Sequence, residues 1–404
     1  MLVAIMVFLL AAVPVWAQDL NELERRIDIL SDELDDMKEH GGAGGSDRVT
    51  VHGYGELHFN LPTDGSSDGE FDNHRFVLGV HAKLADWIHL NVEIDFEHAA
   101  QELEFEFGYL DFLIDPAYNF RAGVMLAPVG FLNEFHEPPL FWTVERPDFQ
   151  KRIVPTTWNV SGVGIFGTPM DGVNYRLYVV NALQSIRTGA CDDGHGAGGN
   201  CGQFRAEDGI RKGRLQPDAA IFENFAVTGR VEFTKLMDGL QVGFSFHTGD
   251  TSQSLIDEGG MTTLLEADVK YRYKWFDTNA SIAHISISDA AALNTFVAAE
   301  APGSVNIPSG IFGWNVQAGV HVPQLLGWST THDFVPYVMY EFTDTQNEMP
   351  VGIAQDLSQE KKITTVGVSY LPIPAVALKA AYQHTSKGNG DRVDKVQFGM
   401  AYMY

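Results

Sequence analysis

Residues Trp87–His98 read WIHLNVEIDFEH. Ile88, Leu90, Val92, Ile94 and Phe96 alternate with His89, Asn91, Glu93, Asp95 and Glu97. A period of two puts the first set on one face of a strand and the second on the other. One face is wholly apolar and the other wholly polar. A single strand of this kind suits a soluble sandwich as well as a membrane barrel. The choice depends on whether the rest of the chain repeats the pattern without supplying an ordinary core.

The pattern repeats. In the segment from Val49, Val49, Val51, Leu57 and Phe59 oppose His52, Tyr54, Glu56 and His58. Phe76, Leu78, Val80, Ala82 and Leu84 share one face of the next segment. Leu103, Phe105, Phe107 and Tyr109 then oppose Glu102, Glu104 and Glu106. Further strands are expected near Asn119–Ala127, Val160–Gly167, Val173–Asn181, Ile221–Phe233, Leu240–Thr248 and Thr263–Trp275. More follow near Asn279–Ser288, Ile311–Val322, Asp333–Thr343, Ile363–Tyr370, Val376–Thr385 and Val393–Tyr404. The last holds VQFGMAYMY, with Val396, Phe398, Met400, Tyr402 and Tyr404 on one side. The total is sixteen, and bacterial single-chain barrels close on an even number of strands.

Connections alternate between short (ADW, DPAYN, TPMDG, KLMDG, FDT, LPIP, and the longer PQLLGWST) and mostly long. Ala99–Ala100 is a short exception on the long side. This asymmetry is that of outer-membrane barrels, with periplasmic turns and extracellular loops. Closure also pairs the strand edges that lipid cannot satisfy. The fold class expected is a 16-stranded antiparallel transmembrane β-barrel over 49–404, with Leu90, Val92, Phe105, Phe107 and Phe398 facing lipid and Tyr404 in an interfacial aromatic belt.

Ahead of the barrel, residues 1–17 form an apolar run closing on Val15-Trp16-Ala17 and read as a signal peptide. In 19–40, Leu20, Leu23, Ile27, Leu30, Leu34 and Met37 make an a/d stripe, expected as a short periplasmic coiled-coil helix. A Gly-rich linker follows at 41–48. After residue 17 no apolar run is long enough for a membrane-spanning helix. The formal charge is −26, from 53 acidic and 27 basic residues, which suits no nucleic-acid partner.

Cys191 and Cys201 lie in ACDDGHGAGGNCG and are expected to form a disulfide that pins a loop. A metal site from both thiols and His195 lacks the usual ligand spacing. His52, His58, His81 and His89 fall on the inward face and read as polar pore wall. No metal or cofactor is expected. No nucleophile, base and orienting residue can be assembled, so catalysis is not expected.

The stretch FRAGVMLAPVGFLNEFHEPPLFWTVERPDFQKRIVP, from Phe120, runs a strand into a Pro-Val-Gly-Phe turn and then a long loop holding Phe141, Trp142, Glu145, Arg146 and Pro147. It resembles the phosphate-selective porin O and P family and its broader relatives. The resemblance implies a trimer of sixteen-stranded barrels, and some relatives carry an N-terminal coiled coil. It also implies phosphate selection through lysines at the constriction and an internal arginine ladder. Here Arg121 and then Met125 face inward, and the loop is mixed in charge, which departs from that pattern.

The functional expectation rests on two features. Loop Pro128–Asn159 is too long to be a plain connection, and prolines stiffen it. Folded inward, it would bring Glu134, Glu137, Glu145 and Arg146 into the pore. On the wall, Glu93, Asp95, Glu97, Glu102, Glu104 and Glu106 face inward from adjacent strands. Arg121, Arg176, Arg230, Lys270 and Arg272 face inward from distant ones. Opposed charge sectors set ion preference. The function expected is an outer-membrane porin for passive diffusion of small hydrophilic solutes and ions, weakly cation-biased, with its N-terminal helix in the periplasm. The alternatives are an anion-selective porin, and an adhesin or enzyme on a narrow barrel.

Overall fold

The computed structural model describes residues 48–63, 65, 68–188, 203–215, 221–300 and 306–404. The signal and heptad segments, and both cysteines, lie outside these residues.

Sixteen strands make one closed antiparallel barrel in sequence order, and β1 pairs with β16. They are β1 (Val49–Pro62), β2 (Glu70–Ala85), β3 (Ile88–Glu97), β4 (Glu102–Asp115), β5 (Tyr118–Leu126), β6 (Asn159–Met170), β7 (Val173–Asn181) and β8 (Phe225–Met237). The second half is β9 (Leu240–Asp250), β10 (Met261–Tyr273), β11 (Phe276–Ile287), β12 (Gly310–Val320), β13 (Asp333–Glu348), β14 (Glu360–Ile373), β15 (Val376–Lys387) and β16 (Arg392–Met403). Tyr54 faces Met403 and Phe59 faces Phe398 across the closing pair. Tyr404 adds two backbone hydrogen bonds to Gly53, and its hydroxyl donates to Val77 O.

The alternation sorts side chains as the sequence requires. Phe71, Leu103, Phe244, Val366, Leu378 and Phe398 are exposed on the outer wall. Tyr54, Glu56, Arg75, Asp95, Arg230 and Glu341 are buried inside. Trp87, Tyr118, Trp275, Trp328 and Tyr404 are exposed at the short-turn end. They form an aromatic girdle there, the residue type that suits an apolar–aqueous boundary.

Two local readings are corrected. Phe107 and Tyr109, expected to face outward with Phe105, face inward. The β3–β4 pairing steps from Ile94↔Phe105 to Glu93↔Phe107, so Glu106 is an extra residue in β4. That bulge reverses the parity of everything after it. The β11–β12 connection contains the helix Ala290–Glu300. In addition, β8 begins at Phe225, four residues after the expected Ile221.

The long loops do not stand clear of the barrel. Met125, Val160, Tyr178, Val180, Leu264 and Ile285 line the inner wall towards the long-loop end. Against them pack Val129, Phe149, Ile153 and Trp158 of the third loop, Phe204 and Ile210 of the fourth, and Leu293 and Val297 of the helix Ala290–Glu300. An apolar core therefore sits inside the barrel, where loops cap it.

Tight turns need glycine where φ is positive. Gly239, in the β8–β9 turn, has φ +73, and an added Cβ would lie 2.0 Å from Arg272 O. Gly352 has φ +88 with nothing within 4 Å. Gly352→Ala should cost only the left-handed backbone penalty of about 1–2 kcal/mol. Gly239→Val should cost clearly more, because the β10 backbone must also move. Heat-modifiable gel migration and urea unfolding in detergent compare the two; equal losses would mean that the Arg272 contact relaxes freely.

Candidate functional site: the loop-filled lumen

The third loop, from Ala127 to Trp158, crosses the lumen and is fastened to inward-facing residues around the wall. Next to β9, the Gly130 N–H donates to Ser245 Oγ, and the Trp158 ring lies 4.7 Å from His247. Next to β7, Arg176 pairs with Glu134 at 2.9 Å. At β1, Tyr54 Oη is 2.8 Å from His136 Nε2. His136 Nδ1 lies 2.8 Å from the Asn133 carbonyl, which can only accept. Nδ1 therefore carries a proton, and Tyr54 Oη, which also lies 3.2 Å from Glu93 Oε1, meets the ring at Nε2.

The far wall holds the loop as firmly. Lys379 Nζ, on β15, donates to Pro138 O and Thr143 O at 2.7 and 2.9 Å and lies over the Phe141 ring. Glu145 takes Lys151 at 2.5 Å, Asn60 at 2.6 Å and Lys395 of β16 at 3.7 Å. Glu341, on β13, accepts the backbone N–H groups of Asp148 and Phe149 at 3.3 and 3.0 Å. It thus caps the short helix Asp148–Arg152 from across the lumen. Asp148 binds Arg152 and the Thr343 hydroxyl, both at 2.9 Å. Arg146 donates to Thr156 Oγ1.

The fourth loop locks the third. Arg214 donates to the carbonyls of Thr156 and Thr157 at 2.7 and 2.8 Å. Arg152 donates to Glu207 O, and Thr345 to Ala206 O. Burial, and then Arg214, lowers Arg211 to about 9, so it stays charged at neutral pH.

The charged wall residues form compact groups. Glu93, Asp95 and Glu97 on β3 face Phe107, Glu104 and Glu102 on β4, with the bulged Glu106 buried beside them. Arg75, on β2, answers this cluster: Nε is 2.9 Å from Glu56, Nη1 is 3.4 Å from Asp95 and Nη2 is 3.4 Å from Glu97. Arg121 pairs with Asp111 at 2.7 and 2.9 Å and stacks 3.9 Å over Tyr109. Arg176 also meets Glu232, and Arg230 reaches Glu232, Glu266 and Asp268. Lys270 lies 4.2 Å over the Phe131 ring of the third loop. Arg272 is buried on β10, across from Asp277. The basic residues expected to form a separate wall thus have acids in their own sectors.

Sequence reasoning overlooked Arg75, Arg211, Arg214, Lys361, Lys379 and Lys395. The strand lysines could have been found. Lys379 shares parity with Ala377 and Ala381, and Lys395 with Gln397, all on the inward side. Arg211 and Arg214 carried no signal, since the fourth loop has no periodic pattern.

Among the described residues the lumen keeps open cavities. One of about 560 Å³ opens towards the short-turn end, and Glu93, Glu134, Glu137, Arg121, Arg176 and Tyr178 are among its lining. Another of about 340 Å³ lies towards the long loops, against His58, Asp72, His74, His98, Glu145 and Arg211. A pocket of about 60 Å³ continues it past Glu145, Lys151 and Lys395. The third loop separates the first cavity from the others.

The tethers make the loop's hold measurable. Glu341→Ala strands two amide donors, which should cost about 1–2 kcal/mol and speed exchange of the Asp148 and Phe149 amides about tenfold. Unchanged exchange would mean that the apolar core alone seats the loop.

Acidity should weaken the same hold. Burial raises Glu145, but Lys151 and Lys395 outweigh it and hold the carboxyl below its usual range. Burial opposes Arg152 and Lys361 at Asp148 in the same way, and the net shift is again downward. Burial lowers His136. All three groups bind protons less readily when folded. Their contribution is present above their unfolded values and lost as pH falls through the folded ones. Burial raises Glu137, which opposes the trend above about pH 4.5. Exchange of the Phe149 amide, corrected for its intrinsic rate, should rise below about pH 6.5 and more steeply below about pH 4. A loop that tightens on acidification would show that Glu137 dominates.

Comparison with known proteins agrees with this architecture. The loop-deleted OmpT of Vibrio cholerae superposes with a TM-score of 0.54 at 11% identity, covering 88% of this chain and 99% of that one. The outer membrane channel DcaP of Acinetobacter baumannii gives 0.54 at 11%, covering 88% and 97%. An anion-selective porin from Comamonas acidovorans gives 0.53 at 10%, covering 88% and 99%. At such identities the likeness is one of fold: a sixteen-stranded barrel of the outer-membrane porin type. No family model matches the chain. An uncharacterized protein of Aquifex aeolicus (strain VF5) is 31% identical over 344 residues, which are 83% of this chain and 75% of that protein. The chain therefore belongs to the same family as that Aquifex aeolicus protein.

Proposed function

We propose that the chain is an outer-membrane porin that passes small hydrophilic solutes and ions, with a weak preference for cations. The observation that carries this reading is a barrel with an apolar outer wall and a charged lumen, in which one loop stands between cavities of about 560 and 340 Å³. The outer wall and its aromatic girdle suit outer-membrane lipid as the surrounding medium. The heptad segment at 19–40, on the periplasmic side, would join copies of the chain, a trimer being the family resemblance's expectation.

The preference follows from the larger cavity. Glu93, Glu134 and Glu137 line it with Arg121 and Arg176, and Asp111 and Glu232 add further acid to those arginines. An acidic excess concentrates cations there, and salt screens it. The cavity towards the long loops is nearly balanced in sign, so it adds little bias.

The anion-selective reading has one observation of its own. Lys361, Lys379 and Lys395 fall on the adjacent strands β14, β15 and β16, all inward. Those lysines are engaged by Asp148, by loop carbonyls and by Glu145. This leaves less positive field than the count suggests. Phosphate selection in particular would need a positive constriction, and Glu145 and Asp148 lie where it would be.

Planar-bilayer recordings in a potassium chloride gradient decide between the readings. Reversal potentials should show a modest cation preference that fades at high salt. Replacing Glu93, Glu104 and Glu106 with Gln should shift the ratio towards anions. His136→Ala, which removes one β1 tether of the third loop and leaves that of Asn60 to Glu145, should raise conductance. A strong preference for chloride or phosphate overturns the cation assignment, and a barrel that never conducts overturns the porin reading.

A further inference from the structure

At the long-loop mouth, the first residues of β2 and the β3–β4 turn bring together Asp72, His74 and His98. We propose that these three residues bind one divalent transition-metal ion, with Glu97 and Glu102 supplying the further carboxylate. Asp72 Oδ2 lies 2.9 Å from His74 Nδ1 and 3.0 Å from His98 Nδ1. Ligand atoms of Asp72, His74 and His98 all lie within 4.8 Å of one another, as do those of Glu97, His98 and Glu102. Two donors each about 2.1 Å from an ion, at a right angle, are about 3.0 Å apart. The spacing thus fits a shared ion without a large movement.

The surroundings hold the donors in place. The His98 N–H donates to His74 O, and the Ala99 N–H to Asn73 O, both at 3.0 Å. His98, Ala99 and Ala100 carry φ of 49°, 57° and 66°. Three consecutive non-glycine residues in the left-handed region make an unusual turn, and it points the His98 ring at Asp72. His58 stacks on His74 at 4.7 Å and fixes its ring plane. The His98 side chain is 41% exposed, so an ion reaches it from the adjoining cavity.

The donor set names the ion class. Two imidazoles with carboxylates suit zinc, cobalt, nickel or iron(II). Calcium and magnesium prefer oxygen alone, and no thiol is among the described residues for copper(I). One contact opposes binding. Arg75 Nη2 lies 3.2 Å from His74 Nε2 and donates to it in the metal-free site. An ion on Nδ1 turns Nε2 into a second donor, and the guanidinium must then lean on Glu97 or Asp95. The affinity should therefore fall below that of a closed structural zinc site. Bound ion would fasten the start of β2 to the β3–β4 turn and offset acid at the mouth.

The test uses the purified full chain in detergent, stripped with chelator and titrated with zinc chloride by calorimetry. One ion per chain should bind with saturation. Asp72→Asn and His98→Ala should each weaken binding by at least about tenfold. His332→Ala, an exposed histidine next to the short-turn end, should leave it unchanged. Heat-modifiable migration verifies that each variant is folded, and His74→Ala replaces any that is not. Cobalt(II) should give visible ligand-field absorption that His98→Ala removes. Absence of saturable zinc binding, binding unaltered in the Asp72 and His98 variants, or equal binding of calcium each overturns the proposal. None of these readouts depends on whether the barrel conducts.

Discussion

Closure of the sheet is the constraint on which everything else depends. A strand facing lipid has no water to satisfy its backbone, so each N–H and C=O must find another strand. The β1–β16 ladder, from Tyr54↔Met403 to Pro62↔Lys395, completes the ring and leaves no edge. Once closed, parity is fixed around the circumference. Every second residue belongs to the outer wall and every other to the lumen, and one extra residue is enough to exchange them. The Glu106 bulge is such a residue, and it moves Phe107 and Tyr109 into the lumen.

The barrel's outer wall can be apolar without being a core, so packing must come from elsewhere. Here it comes from the loops. Trp158, Phe149 and Ile153 are almost wholly buried against inner-wall aliphatics. Deleting such a side chain from a protein interior typically costs about 2–5 kcal/mol. The third loop is therefore seated by apolar burial, most of it on the β5–β12 side, and by charge and hydrogen bonds all round the wall, from Arg176 on β7 to Glu341 on β13 and Lys379 on β15.

Much of the architecture was legible in the sequence because the barrel's code is a strict period of two. Val396–Tyr404 and Trp87–His98 announce their faces residue by residue. The bulge at Glu106 was not legible, since LEFEFGYL alternates cleanly on either reading. The helix Ala290–Glu300 was hidden for another reason: AAALNTFVAAE is mostly alanine and has no sharp amphipathic stripe. Lys379 and Lys395 were readable from parity and were passed over in favour of arginines. The pairing of Arg214 with the carbonyls of Thr156 and Thr157 depends on two loops meeting in space, which no local pattern encodes. The Asp72–His74–His98 group is similar, because only the β2–β3 register brings residue 98 beside residue 74.

Charge compensation bears on how such a lumen selects ions. A buried unpaired charge is costly, and the wall meets that cost by placing Arg75 among Glu56, Asp95 and Glu97, and Arg230 among Glu232, Glu266 and Asp268. Each arginine offsets one of the acids tied to it and so reduces the net field at a distance. What an ion meets is the remainder: acids in excess in the larger cavity, and lysines already engaged by the third loop. The formal charge of −26 is thus a poor guide to selectivity. The same ties hold the loop, so a substitution that frees a lysine from Glu145 or Asp148 would alter both the field and the width of the passage. On the proposed porin reading, ion preference and the seating of the third loop share one set of ion pairs.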